Sequence, residues 1–119
     1  AGAQPEAAEA PGPGVPIQPG EIWVMPVLVE QETPTGVRYV CTNPEGRPYG
    51  AARVLGRADF ARMFAPHRGG WRLRIRIEAV QAGQVVYRQL DAAGNFSPNS
   101  KALNIQVLQS TFIPAATDY

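Results

Sequence analysis

The chain has 119 residues, 45% hydrophobic and 18% charged, with eleven Lys and Arg against ten Asp and Glu for a net charge of +1. That length suits one ordinary domain or two very small ones and excludes scaffolds such as a (β/α)₈ barrel, typically about 250 residues. No apolar run approaches the roughly 20 residues that span a bilayer, and one Cys with one His supplies neither an internal disulfide nor a four-ligand zinc site.

Residues 1–20 hold Pro5, Pro11, Pro13, Pro16 and Pro19 with five Ala and four Gly, and Val15 and Ile17 are the only large apolar side chains. Such a stretch buries too little surface to offset the entropy of ordering it, so it reads as a disordered arm. Pro13, Pro16 and Pro19 follow a period of three that suits a polyproline II segment. The opening has neither a basic start nor a continuous apolar core, so it does not read as a secretory signal.

From Glu21 onward the chain repeats itself. A gap-free shift of 48 residues places Trp23 on Trp71, Glu30 on Glu78, Tyr39 on Tyr87, Gly46 on Gly94, Leu55 on Leu103, Phe64 on Phe112 and Pro66 on Pro114. The shift predicts two related units, 21–66 and 67–114, followed by a short tail at 115–119. In the second unit Trp71, Leu73, Ile75 and Ile77 alternate with Arg72, Arg74 and Arg76, the period of a half-buried strand. In the first, Trp23, Met25, Val27 and Val29 take the apolar positions, and Val24, Pro26 and Leu28 stand where the second unit has Arg. That leaves an apolar outer face at Val24 and Leu28. Pro26 has no amide to donate, which predicts an edge or a bulge there.

Second strands follow at 37–42 and 84–90. Each ends in a turn, Asn43-Pro44-Glu45-Gly46 or Asp91-Ala92-Ala93-Gly94, with the Asn/Asp first and Gly last of a type I turn. Residues 57–65 carry Phe60, Met63 and Phe64 at helical spacing and are closed by Pro66. The matching 105–113 segment is richer in β-branched residues and fits helix or strand. Tyr39, Tyr87, Phe64, Phe112, Leu73 and Ile75 form the expected core. Each unit alone would be marginal in size.

An opening Gly/Trp strand, a Tyr-bearing second strand, a polar hairpin turn and closing segments Phe60-Ala61-Arg62-Met63-Phe64-Ala65-Pro66 and Leu108-Gln109-Ser110-Thr111-Phe112-Ile113-Pro114 resemble small SH3-like barrels. Barrels of this kind occur in short proteins of bacteriophages and mobile elements. The resemblance implies a mainly β fold with one or two short helices, built as two tandem SH3-like barrels or strongly bent sheets. It transfers no functional residue, because fold is not function.

The chemistry-bearing residues point away from catalysis. His67, the single His, lies in the joining segment His67-Arg68-Gly69-Gly70, where a solvated ring is expected. Cys41 sits on a strand at the parity of Val37 and Tyr39, as a buried thiol would. That also suits a reducing, cytoplasmic setting. Glu30 and Glu78 are equivalent carboxylates at strand ends. The chain lacks a phosphate-loop motif, and Gly12-Pro13-Gly14 fails the dinucleotide fingerprint. No enzyme, cofactor or metal role is expected. Asn95-Phe96-Ser97 matches a glycosylation acceptor without other signs of secretion.

Charge carries the functional content. Ten of the eleven basic residues are Arg, and eight lie from Arg53 to Arg88 against Asp59 and Glu78 alone, a local balance of +6. Arg72, Arg74 and Arg76 share one strand face as forked donors for carboxylates or phosphates. Arg88 adds to them, and Trp71 offers a ring for stacking. The first expectation is therefore a non-catalytic interaction protein that recognises a macromolecular partner by its surface. Nucleic acid on the Arg72/Arg74/Arg76 face is the alternative, though a net charge of +1 weighs against it. A structural or assembly component of a virion, self-associating into a homo-oligomer, is the third. A membrane partner is not expected.

Overall fold

A computed structural model describes residues 7–12, 14–43 and 45–110. Its elements in chain order are β1 (Ala8–Glu9), β2 (Gly20–Glu32), β3 (Gly36–Thr42), β4 (Pro48–Gly56), α1 (Arg57–Met63), β5 (Ala65–His67), β6 (Gly70–Gln81), β7 (Gln84–Leu90), β8 (Lys101–Asn104) and α2 (Ile105–Ser110). Among the described residues the fold is mainly β with two short helices. All strands join one curled sheet, a half-barrel of order β4-β3-β2-β6-β7-β8, with β1 added to β2 and β5 to β6. The two units, expected as tandem barrels or strongly bent sheets, share one curled sheet, joined by the antiparallel pairing of β2 with β6 from Gly20↔Ile77 to Val27↔Trp71.

Backbone pairing recurs at the 48-residue offset found in the sequence. In β2–β3 the partners are Val27↔Cys41, Leu28↔Val40 and Val29↔Tyr39, then, across a bulge, Gln31↔Arg38. In β6–β7 they are Ile75↔Gln89, Arg76↔Arg88 and Ile77↔Tyr87, then, across a bulge, Ala79↔Val86. The turns match as well. Asn43 Oδ1 accepts from the Glu45 and Arg47 amides, each at 2.9 Å, while Asp91 Oδ1 accepts from those of Ala93 at 3.0 Å and Asn95 at 2.8 Å. Gly46 and Gly94 close these turns at φ +86° and +89°, a conformation that favours glycine. Helices α1 and α2 start 48 residues apart.

Two differences interrupt the offset: β8 is shorter than β4, and the start of β2 departs from β6 for a local reason. Met25 adopts φ +47°, and the β2–β6 register slips between Val24 and Pro26. This bulge, where Pro26 has no amide to donate, inverts the side-chain parity at the start of β2. Val24, expected on an outer apolar face, is buried opposite Leu73, whereas Leu28 remains half exposed. Trp23 lies opposite Arg74, stacked on His67 at 4.3 Å between ring centroids. Trp71 pairs with Val27 and meets Phe60 edge-on at 5.2 Å. The two Trp residues therefore do not occupy matching places.

The core fills the concave side of the sheet. Tyr39, Phe64, Leu73, Ile75 and Tyr87 are all buried there, with Val24, Val37, Phe60, Met63, Ile77, Val85 and Leu108. Phe112, the remaining residue expected in the core, lies outside the described residues, as does the tail at 115–119. Helix α1 ends two residues earlier than its periodicity predicts. Ala65 precedes Pro66 and is pushed to extended backbone, so the chain turns straight into β5, which pairs with β6. The ambiguous segment resolves as helix α2 over its described part.

Of the segment 1–20 expected as a structureless arm, residues 1–6 and 13 lie outside the described residues, and the described part is tied to the sheet at two points. Ala8–Glu9 run parallel to Ile22–Trp23, and the Ala10 amide donates to the Trp23 carbonyl at 3.0 Å. Ile17 is buried with the core. Composition cannot reveal a two-residue strand held by backbone pairing with Ile22–Trp23 and by a Glu9 contact with Arg72 far along the chain. Removing residues 1–12 should therefore lower the unfolding free energy by about 1–2 kcal/mol, through the lost backbone bonds and the Glu9 ion pairs. Urea melts of the two chains check this.

Candidate anion-binding face

The outer face of the sheet carries the Arg row. On β6 the side chains of Leu73, Ile75 and Ile77 enter the core, which turns Arg72, Arg74 and Arg76 outward, and Arg88 on β7 lies opposite Arg76. Three of these four guanidinium groups meet a carboxylate of the same chain. Arg72 Nη1 donates to Glu9 Oε1 at 2.8 Å. The same oxygen lies 3.4 Å from Arg68 Nε and 3.6 Å from His67 Nε2, so β1 is clasped by three basic groups. Arg74 Nε lies 3.6 Å from Glu21 Oε1 and its guanidinium stands 5.5 Å from the centre of the Trp23 ring. Arg88 Nε lies 2.7 Å from Glu78 Oε1 and donates to Ser100 Oγ at 3.3 Å.

Arg76 differs. Its guanidinium lies 5.5 Å from the centre of the Phe96 ring, and it has no carboxylate partner among the described residues. Glu21 is its cross-strand neighbour on β2, but the Glu21 carboxylate turns to Arg74. Arg76 is exposed, and the Phe96 ring is 40% exposed. With Pro19, Gly20, Ile77, Glu78 and Arg88 they line an open cleft of about 570 Å³. A Cβ built on Gly20 meets nothing within 4 Å, so the cleft stays open on that side.

Trp71 offers no outward ring, since it packs against the core. His67, expected in solvent, is instead in β5 with a side chain only 19% exposed, held by Trp23 and Glu9. Cys41 is buried as expected. Burial pushes its thiol above the ordinary range, against a smaller opposite pull from the Arg53 guanidinium, which leaves it protonated and unreactive at neutral pH. Burial likewise raises the Tyr39 phenol. Among the described residues, no three His, Cys, Asp or Glu cluster so as to hold a metal ion, and no helix is long and apolar enough to cross a membrane.

Sequence reasoning missed Phe96, Glu9 and Glu21 as parts of this face. Phe96 lies in a turn-rich segment without periodicity, tied to the sheet by a single bridge to Leu90. Glu9 reaches Arg72 across 63 positions. Glu21 meets the β6 arginines only through the β2–β6 pairing, which no local pattern displays. Comparison with protein-family models, with curated proteins and with solved structures gives no match.

Proposed function

We propose that the protein is a non-catalytic recognition module that binds a protein partner through the outer face of β6 and β7. One observation carries this reading: Glu9, Glu21 and Glu78 stand against Arg72, Arg74 and Arg88. A track for a nucleic-acid backbone gains affinity by presenting several free cations and releasing counterions. Here the row is largely neutralised by the chain's own carboxylates, a mixed-charge surface of the kind that complements another protein. The SH3-like resemblance belongs to the same proposal. One curled sheet would serve as the platform where two barrels were expected, and the buried free Cys41 suits a reducing compartment.

The test is selection of a displayed random-peptide library on the protein, beside titration of a DNA duplex at rising salt. Recovered peptides are expected to carry acidic residues and to be lost with the Arg72→Gln/Arg74→Gln/Arg76→Gln triple variant, while DNA binding vanishes near physiological ionic strength. An empty selection, or DNA binding that survives such salt and needs these arginines, would overturn the reading.

A further inference from the structure

We propose that the cleft between Arg76 and Phe96 is a carboxylate site that receives one Asp or Glu side chain of the partner. It rests on the recognition reading above and names that face's ligand. Three observations converge on it.

The first is a like-charge pair. Arg76 and Arg88 are direct cross-strand partners, an arrangement that costs stability unless an anion sits between or beside them. Glu78 answers Arg88 at 2.7 Å; no described carboxylate answers Arg76. The second is pre-organisation. The Arg76 guanidinium stands over the Phe96 ring, 5.5 Å from its centre, which restrains a flexible side chain while its forked donors remain for a planar, two-oxygen acceptor. The third comes from the other half of the sheet. At the same pairing positions, 48 residues earlier, Leu28 lies opposite Val40, with Pro48 in the place of Phe96. The same backbone pairing is thus made without any charge, so Arg76 and Arg88 are not needed to form the strands.

Charge selects the ligand class. Arg76, Arg88 and Glu78 leave the cleft with a single net positive charge, which complements a monoanionic carboxylate. A phosphate dianion would meet the Glu78 carboxylate across the same cleft.

The experiment follows the arginine Nε–H resonances of the full chain while sodium propionate, a Glu side-chain mimic, is titrated. Inorganic phosphate is titrated in parallel. A saturable shift is expected at Arg76, absent at Arg72 and Arg74. In the Arg76→Gln variant, propionate binding read from the Phe96 ring resonances should weaken about ten- to a hundredfold, the worth of one charge-assisted contact. The backbone spectrum reports whether that variant is folded, and Arg76→Lys, which keeps charge without the fork, should bind between the two. No shift at Arg76, an equal response at all three arginines, or tighter binding of phosphate would overturn the site. A propionate response without any selected peptide would instead defeat the recognition reading and leave the site standing.

Discussion

Phe64→Ala should lower the unfolding free energy by about 3–5 kcal/mol, a large share of the roughly 5–15 kcal/mol that holds a domain of this size. Phe64 is 1% exposed and packs against Tyr39 and Phe60, with ring centroids 5.4 and 5.0 Å away. It lies just past the end of α1, where its amide still donates to the Phe60 carbonyl at 3.0 Å. The ring therefore pins the helix onto β3 at the point where the chain turns into β5. Truncation empties a space that neighbours on a short helix and a paired strand cannot close. Chemical denaturation followed by far-UV circular dichroism measures the loss. A change below about 1 kcal/mol would mean the ring is not in a packed core.

Leu73→Ala should cost about 2–5 kcal/mol and should do so in a single transition. Leu73 is fully buried opposite Val24, where β2 from the first half meets β6 from the second. Because the two halves share this seam, damage to it should loosen both together. Trp23 lies on the outer side near the seam and Trp71 on the inner, so fluorescence of single-Trp variants reports the same event from two sides. Coincident melts are expected. Two separated transitions would instead describe two independent small barrels.

The sequence revealed a good deal of this architecture because its signals there are local. The alternation through Leu73, Ile75 and Ile77 and the turn chemistry of Asn43 and Asp91 depend only on near neighbours, and β7 spans Gln84–Leu90 as its pattern predicts. What stayed hidden depends on partners far along the chain. The bulge that Pro26 foretold is present, but its consequence was not legible: it exchanged the faces of Val24 and Trp23 through Met25, and no periodicity anticipates a residue at positive φ. The joining of both halves into one sheet is a property of the β2 and β6 edges, which pattern reading treats as separate strands. The Arg row was legible as a row. Its neutralisation was not, because Glu9 comes from a Pro- and Ala-rich segment whose composition argued against any fixed position.

The account turns on Arg76 and Arg88 serving recognition rather than folding. Replacing them by their counterparts 48 residues earlier, in the double variant Arg76→Leu/Arg88→Val, tests this most directly. The substitution removes a like-charge cross-strand pair and installs the Leu–Val pair that β2 and β3 already use. Thermal melting should then occur at or above the temperature of the unaltered protein, while propionate and acidic-peptide binding disappear. A variant that unfolds, or one that still binds both ligands as the parent does, would contradict the account.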